Sequence, residues 1–340
     1  MKDQVCLVPR LSGLGGMVSF QAKFIQGLEA RQIPYSFELS DPANTAVLVI
    51  GGTRKLMQLW RAKRRGLRIY QRLNGMNWMH RREKTPLRIA LKAEMNNLTL
   101  SFIRRYLADG IIYQSGFSQD WWDRVYKPLK VPASVAYNGI DLDQYSSKGD
   151  GRPPRDHFRI LLVEGRLTGA YARGLETAVL LMETLQPKLA QPLELMVVGD
   201  TSQDLVARFS ARSDLWITWR GILPRNEIPA VDRSAHVLFS TDLNAACPNS
   251  VIEALACGLP VLAYDTGSLA ELVLDGAGQV VPYGADYWRL EDPKIKPLAD
   301  ACLEILHNNP AYRENARRRA EAAFSLDAMV DAYLDAMEVK

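Results

Sequence analysis

The sequence predicts an α/β protein of two Rossmann-like domains, each a parallel sheet covered by helices. Three observations carry that prediction. Short apolar, β-branched runs alternate with segments of helical period along the whole chain. The 340 residues exceed what a single core usually fills. Near the middle, "YSSKGDGRPPRD" (Tyr145–Asp156) is polar and bears glycines and prolines, as an interdomain linker does. The expected domains are therefore residues 1–150 and 151–322, with 323–340 as a terminal helix.

The first strand is QVCLV, followed by "LSGLGGMVSFQAKF", where a helix opens at about Met17. Glycines let backbone approach a ligand, and a helix N-terminus offers unpaired N–H groups to an anion. Gly13, Gly15 and Gly16 do not complete GxGxxG, because Val18 stands at the third position, so a tight turn without ligand is an equal reading. AVLVI and LRIYQ are the next strands. "TPLRIALKAEMNNLTLSFIRRYL" is a long helix, with Thr85 ahead of Pro86 at its first position. GIIYQ and SVAYN complete the first set, and Trp121 and Trp122 between them read as helix packing. His80 reads as a surface group beside Arg81 and Arg82.

In the second half the strands are FRILLV, LELMVV, LWITW, HVLFS, PVLAY and QVVP. The first runs into "EGRLTGAYARG", which places Arg166 and Arg173 beyond its C-terminal end, where open α/β sheets bind ligands. Guanidinium forks there suit a diphosphate, the alternative being solvated loop arginines. "PNSVIEALACGLPVLAYDTGSLAEL" sets Glu253 among Val251, Ile252, Ala254 and Leu255. A carboxylate in so apolar a helix implies a partner.

Composition narrows the class further. With 47% hydrophobic and 24% charged residues and no apolar run of eighteen, nothing in the sequence spans a bilayer. The opening "MKDQVCLVPR" reads as a strand rather than a signal peptide, which gives a cytoplasmic expectation. Cys6, Cys247, Cys257 and Cys302 form no CxxC pair and the four histidines are dispersed, so no metal site is expected. The net charge of +4 is uneven. The first 150 residues hold 23 Lys and Arg against 12 Asp and Glu, the remainder 19 against 26. Clusters at Arg61, Lys63, Arg64, Arg65 and Arg68, and at Arg81, Arg82, Lys84, Arg88 and Lys92 with Trp78 and Met79 alongside, suit an anionic membrane surface or a solvated basic face. No nucleic-acid reader motif accompanies them.

Taken in order, "YNGIDLDQY", "EGRLTGAYARG", "VVGD", "RGIL" and "PNSVIEALACGLPVLAYDTGSLAELV" resemble the retaining GT-B glycosyltransferases of family 4. The resemblance covers most of the chain. It implies GT-B architecture, two Rossmann-like domains facing a cleft, with a terminal helix ("SLDAMVDAYLDAME") that crosses back to the first domain. It also implies transfer of a sugar from a nucleotide-diphospho-sugar, UDP- or GDP-linked, to a hydroxyl acceptor with retention and without a metal or other cofactor. Cell-surface polysaccharide or glycolipid synthesis is the implied setting. By the same resemblance Glu253 holds the ribose hydroxyls; Arg166 and Arg173 clamp the diphosphate and stabilise the leaving group; Asn249, Ser250 and Val251 open the helix at the phosphates; Gly15 and Gly16 approach from the first domain; and Gly221 and Ile222 hold the base.

Two positions depart from the pattern. Ala245 stands where the family has an acid on the donor sugar, with Asn244 or Asp242 as replacements, and Asn74 stands where relatives carry a histidine near the reacting carbon. The competing readings are a catalytically silent sugar-nucleotide-binding protein and, more remotely, a nucleotide-sugar epimerase of the same architecture.

Overall fold

The structure, a computed structural model, describes residues 3–13, 15–167, 172–212 and 214–339. The chain divides into two units: Met1–Gly139 with Phe324–Lys340, and Ile140–Ala323.

Unit 1 is a six-stranded parallel sheet in the order β2-β1-β3-β4-β5-β6. Its strands are β1 (Gln4–Val8), β2 (Tyr35–Ser36), β3 (Asn44–Ile50), β4 (Arg68–Leu73), β5 (Gly110–Tyr113) and β6 (Ala133–Val135), and its helices begin with α1 (Gly16–Ala30), α2 (Leu56–Arg64), α3 (Leu87–Phe102) and α4 (Gly116–Tyr126). The continuous apolar runs make β1 and β3 nearly fully buried, as a sheet covered on both faces requires. Strand β2 was not expected; two residues paired to β1 at Val5↔Tyr35 and Cys6↔Ser36 are too few to show a period. Helix α3 starts at Leu87 rather than Pro86, whose extended ψ of 134° leaves it just outside the helix.

Unit 2 repeats the architecture with the order β12-β11-β10-β7-β8-β9, all parallel. Its strands are β7 (Phe158–Leu167), β8 (Leu193–Thr201), β9 (Trp216–Gly221), β10 (Val237–Ser240), β11 (Val261–Tyr264) and β12 (Gly278–Val281). Helices α5 (Ala172–Leu185), α6 (Gln203–Ser210), α7 (Ile228–Arg233), α8 (Asn249–Ala256), α9 (Leu269–Leu272), α10 (Ile295–His307) and α11 (Asn309–Ala323) complete it. One of its cores runs from Ile160 and Leu162 through Leu195 and Phe239 to Leu298 and Ile305. Residues 146–150 lie on this unit, because Arg233 donates to the carbonyls of Ser146 (2.9 Å) and Asp150 (2.6 Å).

The chain then returns to unit 1 as α12 (Leu326–Met337), whose Ser325 cap accepts from the Ala328 N–H. Met329, Val330, Tyr333, Leu334 and Met337 share one core with Phe20, Phe24 and Leu28 of α1. Contact is close enough that a β-carbon on Gly27 would lie 2.2 Å from Val330. Outside, Arg31 bridges Asp327 at 3.0 Å and Asp331 at 2.8 Å.

Candidate functional site

In unit 2 the chain builds β8 and β9 on one side of β7, then β10, β11 and β12 on the other. The crevice beyond the C-terminal ends of β7 and β10 is therefore the topological switch point, where open parallel sheets bind ligands. Strand β7 delivers Glu164 and Arg166 there, and the turn after β10 delivers Thr241, Asp242 and Asn244. Thr241 Oγ1 donates to Glu164 Oε1 at 3.1 Å. Burial, and then the charge of Asp242, raise the Glu164 carboxyl well above the usual range. Burial alone lifts Asp242 to about 6. The two form an acid pair at the mouth of the crevice, which retains protons that solvated carboxylates shed. Glu164 was missed from sequence; the one available signal was an acid closing an apolar strand directly before the glycine-arginine turn.

The loop after β10 is gripped by the loop after β11. Ser268 N donates to Ala245 O at 2.9 Å, and Thr266 Oγ1 to Asp242 O at 3.1 Å. Gly267 is required at φ 60°, since a β-carbon there would lie 2.6 Å from both Ala245 N and Ala245 O. Asn244 itself has φ 60° and is 4% exposed, and neither side-chain polar atom has a protein partner. Ser240 Oγ and Ser268 Oγ are also buried without one. Unpaired buried amides and hydroxyls are unfavourable, so this region offers hydrogen-bonding capacity that the protein does not consume.

Helix α8 begins after Pro248, which supplies no side-chain cap. Asn249 and Ser250, half-buried, and buried Val251 form its first turn, where N–H groups lack intrahelical acceptors and the helix field is positive. Glu253 is half-buried one turn further on, between fully buried neighbours. Its charge reaches the groups beneath it. Burial first, then Glu253, raise buried Asp232, and the same causes raise Tyr145. Cys257, whose thiol donates a hydrogen bond to Asp232, is raised by burial first, with Asp232 and then Glu253 adding to it.

The two arginines hold different carboxylates. Arg166 is exposed, its Nε 3.5 Å from Asp200 Oδ2 at the end of β8. Arg173, in the first turn of α5, has Nη1 3.2 Å from Asp292 Oδ1. The middle of the loop between them, residues 168–171, lies outside the described residues. Gly221 ends β9 at φ 62°, and Ile222 follows it, 64% exposed.

Gly15, Gly16 and Asn74 belong to unit 1. Gly15 caps α1 at φ 125°, with no atom within 4 Å of where a β-carbon would stand, and Gly16 is the first helical residue. Gln21 braces the preceding loop through Leu11 N and Pro9 O, both at 2.8 Å. Asn74 follows β4, and its carbonyl accepts from Trp122 Nε1 at 2.7 Å and Ser118 Oγ at 3.2 Å. Buried Trp122 thus positions Asn74 as well as filling the core. His80 is not a surface group: its imidazole is 7% exposed and meets Glu94 at 2.8 Å. Among the described residues no group of three or more His, Cys, Asp or Glu is placed to hold a metal.

Residues 159–308, spanning these strand ends and α8, match the family profile described as Glycosyl transferases group 1. A 116-residue stretch is 32% identical to 2-deoxystreptamine glucosyltransferase of Streptomyces kanamyceticus, covering 31% of this chain and 30% of that protein. Among solved structures, Anabaena Alr3699/HepE in complex with UDP superposes with a TM-score of 0.69 at 16% identity, over 99% of this chain and 100% of that one. Sucrose-phosphate synthase from Thermosynechococcus elongatus gives 0.64 at 18%, over 96% and 80%. At such identities the likeness establishes the fold, which is GT-B, two Rossmann-like α/β units in one chain.

Proposed function

We propose that this chain is a retaining glycosyltransferase that takes a sugar from a UDP- or GDP-sugar to a hydroxyl acceptor without a metal. The observation that carries this reading is Glu253 on α8, within the segment that matches group 1 glycosyl transferases. Glu253 binds the ribose hydroxyls, and Gly221 with Ile222 borders the base. Arg166, Arg173 and the N–H groups of Asn249, Ser250 and Val251 stabilise the departing diphosphate, a fixed electrostatic arrangement that does not reorganise during reaction. The ion pairs the arginines make with Asp200 and Asp292 are exposed. Such pairs are worth at most about 1 kcal/mol, so a diphosphate displaces them readily. Gly15, Gly16 and Asn74 are the residues of unit 1 to which the family resemblance gives the phosphates and the reacting carbon. The acceptor is a sugar or lipid-linked sugar at the inner face of a membrane, in polysaccharide or glycolipid synthesis.

Calorimetry with UDP-, GDP-, ADP- and TDP-sugars tests the assignment. One class binds; Arg166→Ala weakens nucleoside diphosphate by more than about 1.5 kcal/mol; a chelator changes neither binding nor transfer. Glu253→Gln weakens UDP or GDP at least about tenfold while inorganic pyrophosphate, lacking ribose, is little affected. Equal losses for both would make Glu253 structural. The second reading, a binding protein without turnover, is favoured by Ala245 at the sugar-contacting position, and it predicts no nucleoside diphosphate release with any acceptor or with water.

A further inference from the structure

Helix α3 is amphipathic in the reverse sense. Its one buried residue is Asn97, which accepts from Asn77 N at 3.0 Å and donates to Asn77 O at 2.8 Å. Glu94, 38% exposed, lies on the side of the helix that meets the loop before it, receiving Arg81 at 2.6 Å and meeting His80 at 2.8 Å. Leu100 packs toward Gly52, but the other large apolar residues point to solvent. Leu87, Leu91, Met95, Leu98 and Phe102 recur at helical spacing along one stripe and are 75, 56, 67, 60 and 44% exposed. Next to it, a trough of about 530 Å³ is lined by Leu56, Met95, Leu98, Phe102, Arg105 and Tyr106. Exposed Trp60, with Arg64 over its ring at 5.2 Å, stands on α2. A continuous apolar surface of this kind on a folded unit marks a docking face.

Charge identifies what docks. Residues 54–106 contain fifteen Lys and Arg against two Glu; Arg72 and Arg104 are buried, and Lys63 and Arg68 pair with Asp109 and Glu338. Arg61, Arg64, Arg88, Lys92 and Arg105 are exposed among them. Of the two acids, Glu94 is held ionised to about 2 by Arg81 and His80, and so is already neutralised within the fold. An apolar stripe set in cations, with aromatic residues beside it, matches the boundary of an anionic bilayer, where acyl chains take the stripe and headgroups take the cations. At 1.5 Å per residue, sixteen residues make a rod of roughly 24 Å that lies in the interface. No described helix is long and apolar enough to cross a membrane.

We infer that the exposed face of α3, flanked by the cations of α2 and by Arg105, inserts into the headgroup region of an anionic lipid bilayer. This deepens the proposed function by supplying the contact with a lipid-borne acceptor, and rests on that reading only for its effect on transfer. Vesicle binding is measured without any sugar nucleotide, so the two fail separately.

The full chain is sedimented with phosphatidylcholine vesicles with and without 30% phosphatidylglycerol. Wild type is expected to bind the anionic vesicles at least about tenfold more tightly. Leu91→Glu with Met95→Glu is expected to abolish that binding while circular dichroism, thermal midpoint and UDP binding stay at wild-type values. Arg88→Glu with Lys92→Glu lowers it about tenfold or more. Failure to bind anionic vesicles at low salt, or equal binding by the stripe variant, overturns the inference. So does a wild-type dimer in sedimentation velocity that the stripe variant dissociates, which assigns the face to a second copy of the chain.

Discussion

Asp242, paired with Glu164, shows how buried carboxyls at the crevice set a pH dependence. Its folded-state value of about 6 lies above the roughly 3.9 of an unfolded aspartate. Between those limits the native chain binds more protons than the unfolded one, so stability falls as pH rises from about 4 to about 6. Asp242→Asn is expected to make that fall shallower, the remainder belonging to Glu164, and to stabilise the protein at pH 7 on the order of 1 kcal/mol, read from thermal midpoints across the window. Gly199 is a second sensitive residue. At φ 143° its β-carbon would sit 2.0 Å from Glu164 O, so Gly199→Ala forces β7 and β8 apart at the position of the acid pair. The expected loss is about 2 kcal/mol in denaturant unfolding. Asp242 and Asn244 stood out in the sequence as possible replacements beside Ala245, and Glu253 and Arg166 stand in a chain order that sequence displays. The raised carboxyl of Asp242, the tight packing at Gly199 and the place of Glu164 emerge only once β7 has β10 on one side and β8 on the other, pairings that no local pattern encodes.

At the scale of elements, apolar runs located eleven strands: burial on both faces leaves an unbroken signature in β3, β10 and β11, while the partly exposed β6, β9 and β12 showed through their β-branched and aromatic residues. Two-residue β2 leaves none. Helix α3 was legible as a helix and in its basic residues, but not in its orientation, which the structure fixes by placing Asn97 underneath. Helix α12 is the opposite case, a stripe that is core. Tyr333 is fully buried, 4.9 Å from the Phe20 ring and 5.5 Å from Phe24. Tyr333→Ala is expected to destabilise unit 1 by about 3 kcal/mol, lowering the denaturant midpoint without changing pyrophosphate binding.

Across the whole molecule, the two sheets share an architecture and differ in charge, the first 150 residues holding the cationic excess and the remainder the acidic one. The apolar face of α3 and the crevice beyond β7 and β10 belong to separate units. The succession of strands was legible because it is written in apolar runs, whereas the specificity of a crevice depends on a few side chains such as Asn244 and Ser268, which no run displays.

Unit 1 is assembled from two separated stretches of sequence, and synthesis delivers them at different times. When Gly139 has been made, Phe20, Phe24 and Leu28 still lack the residues that cover them in the finished unit. Ile140–Ala323 must be translated before α12 follows, on the order of 10–40 s at usual elongation rates. Unit 2, contiguous in sequence, can close its core during that interval. The nascent chain therefore matures out of order, its second unit first, and an incomplete aromatic surface on the first is available to chaperones until α12 arrives.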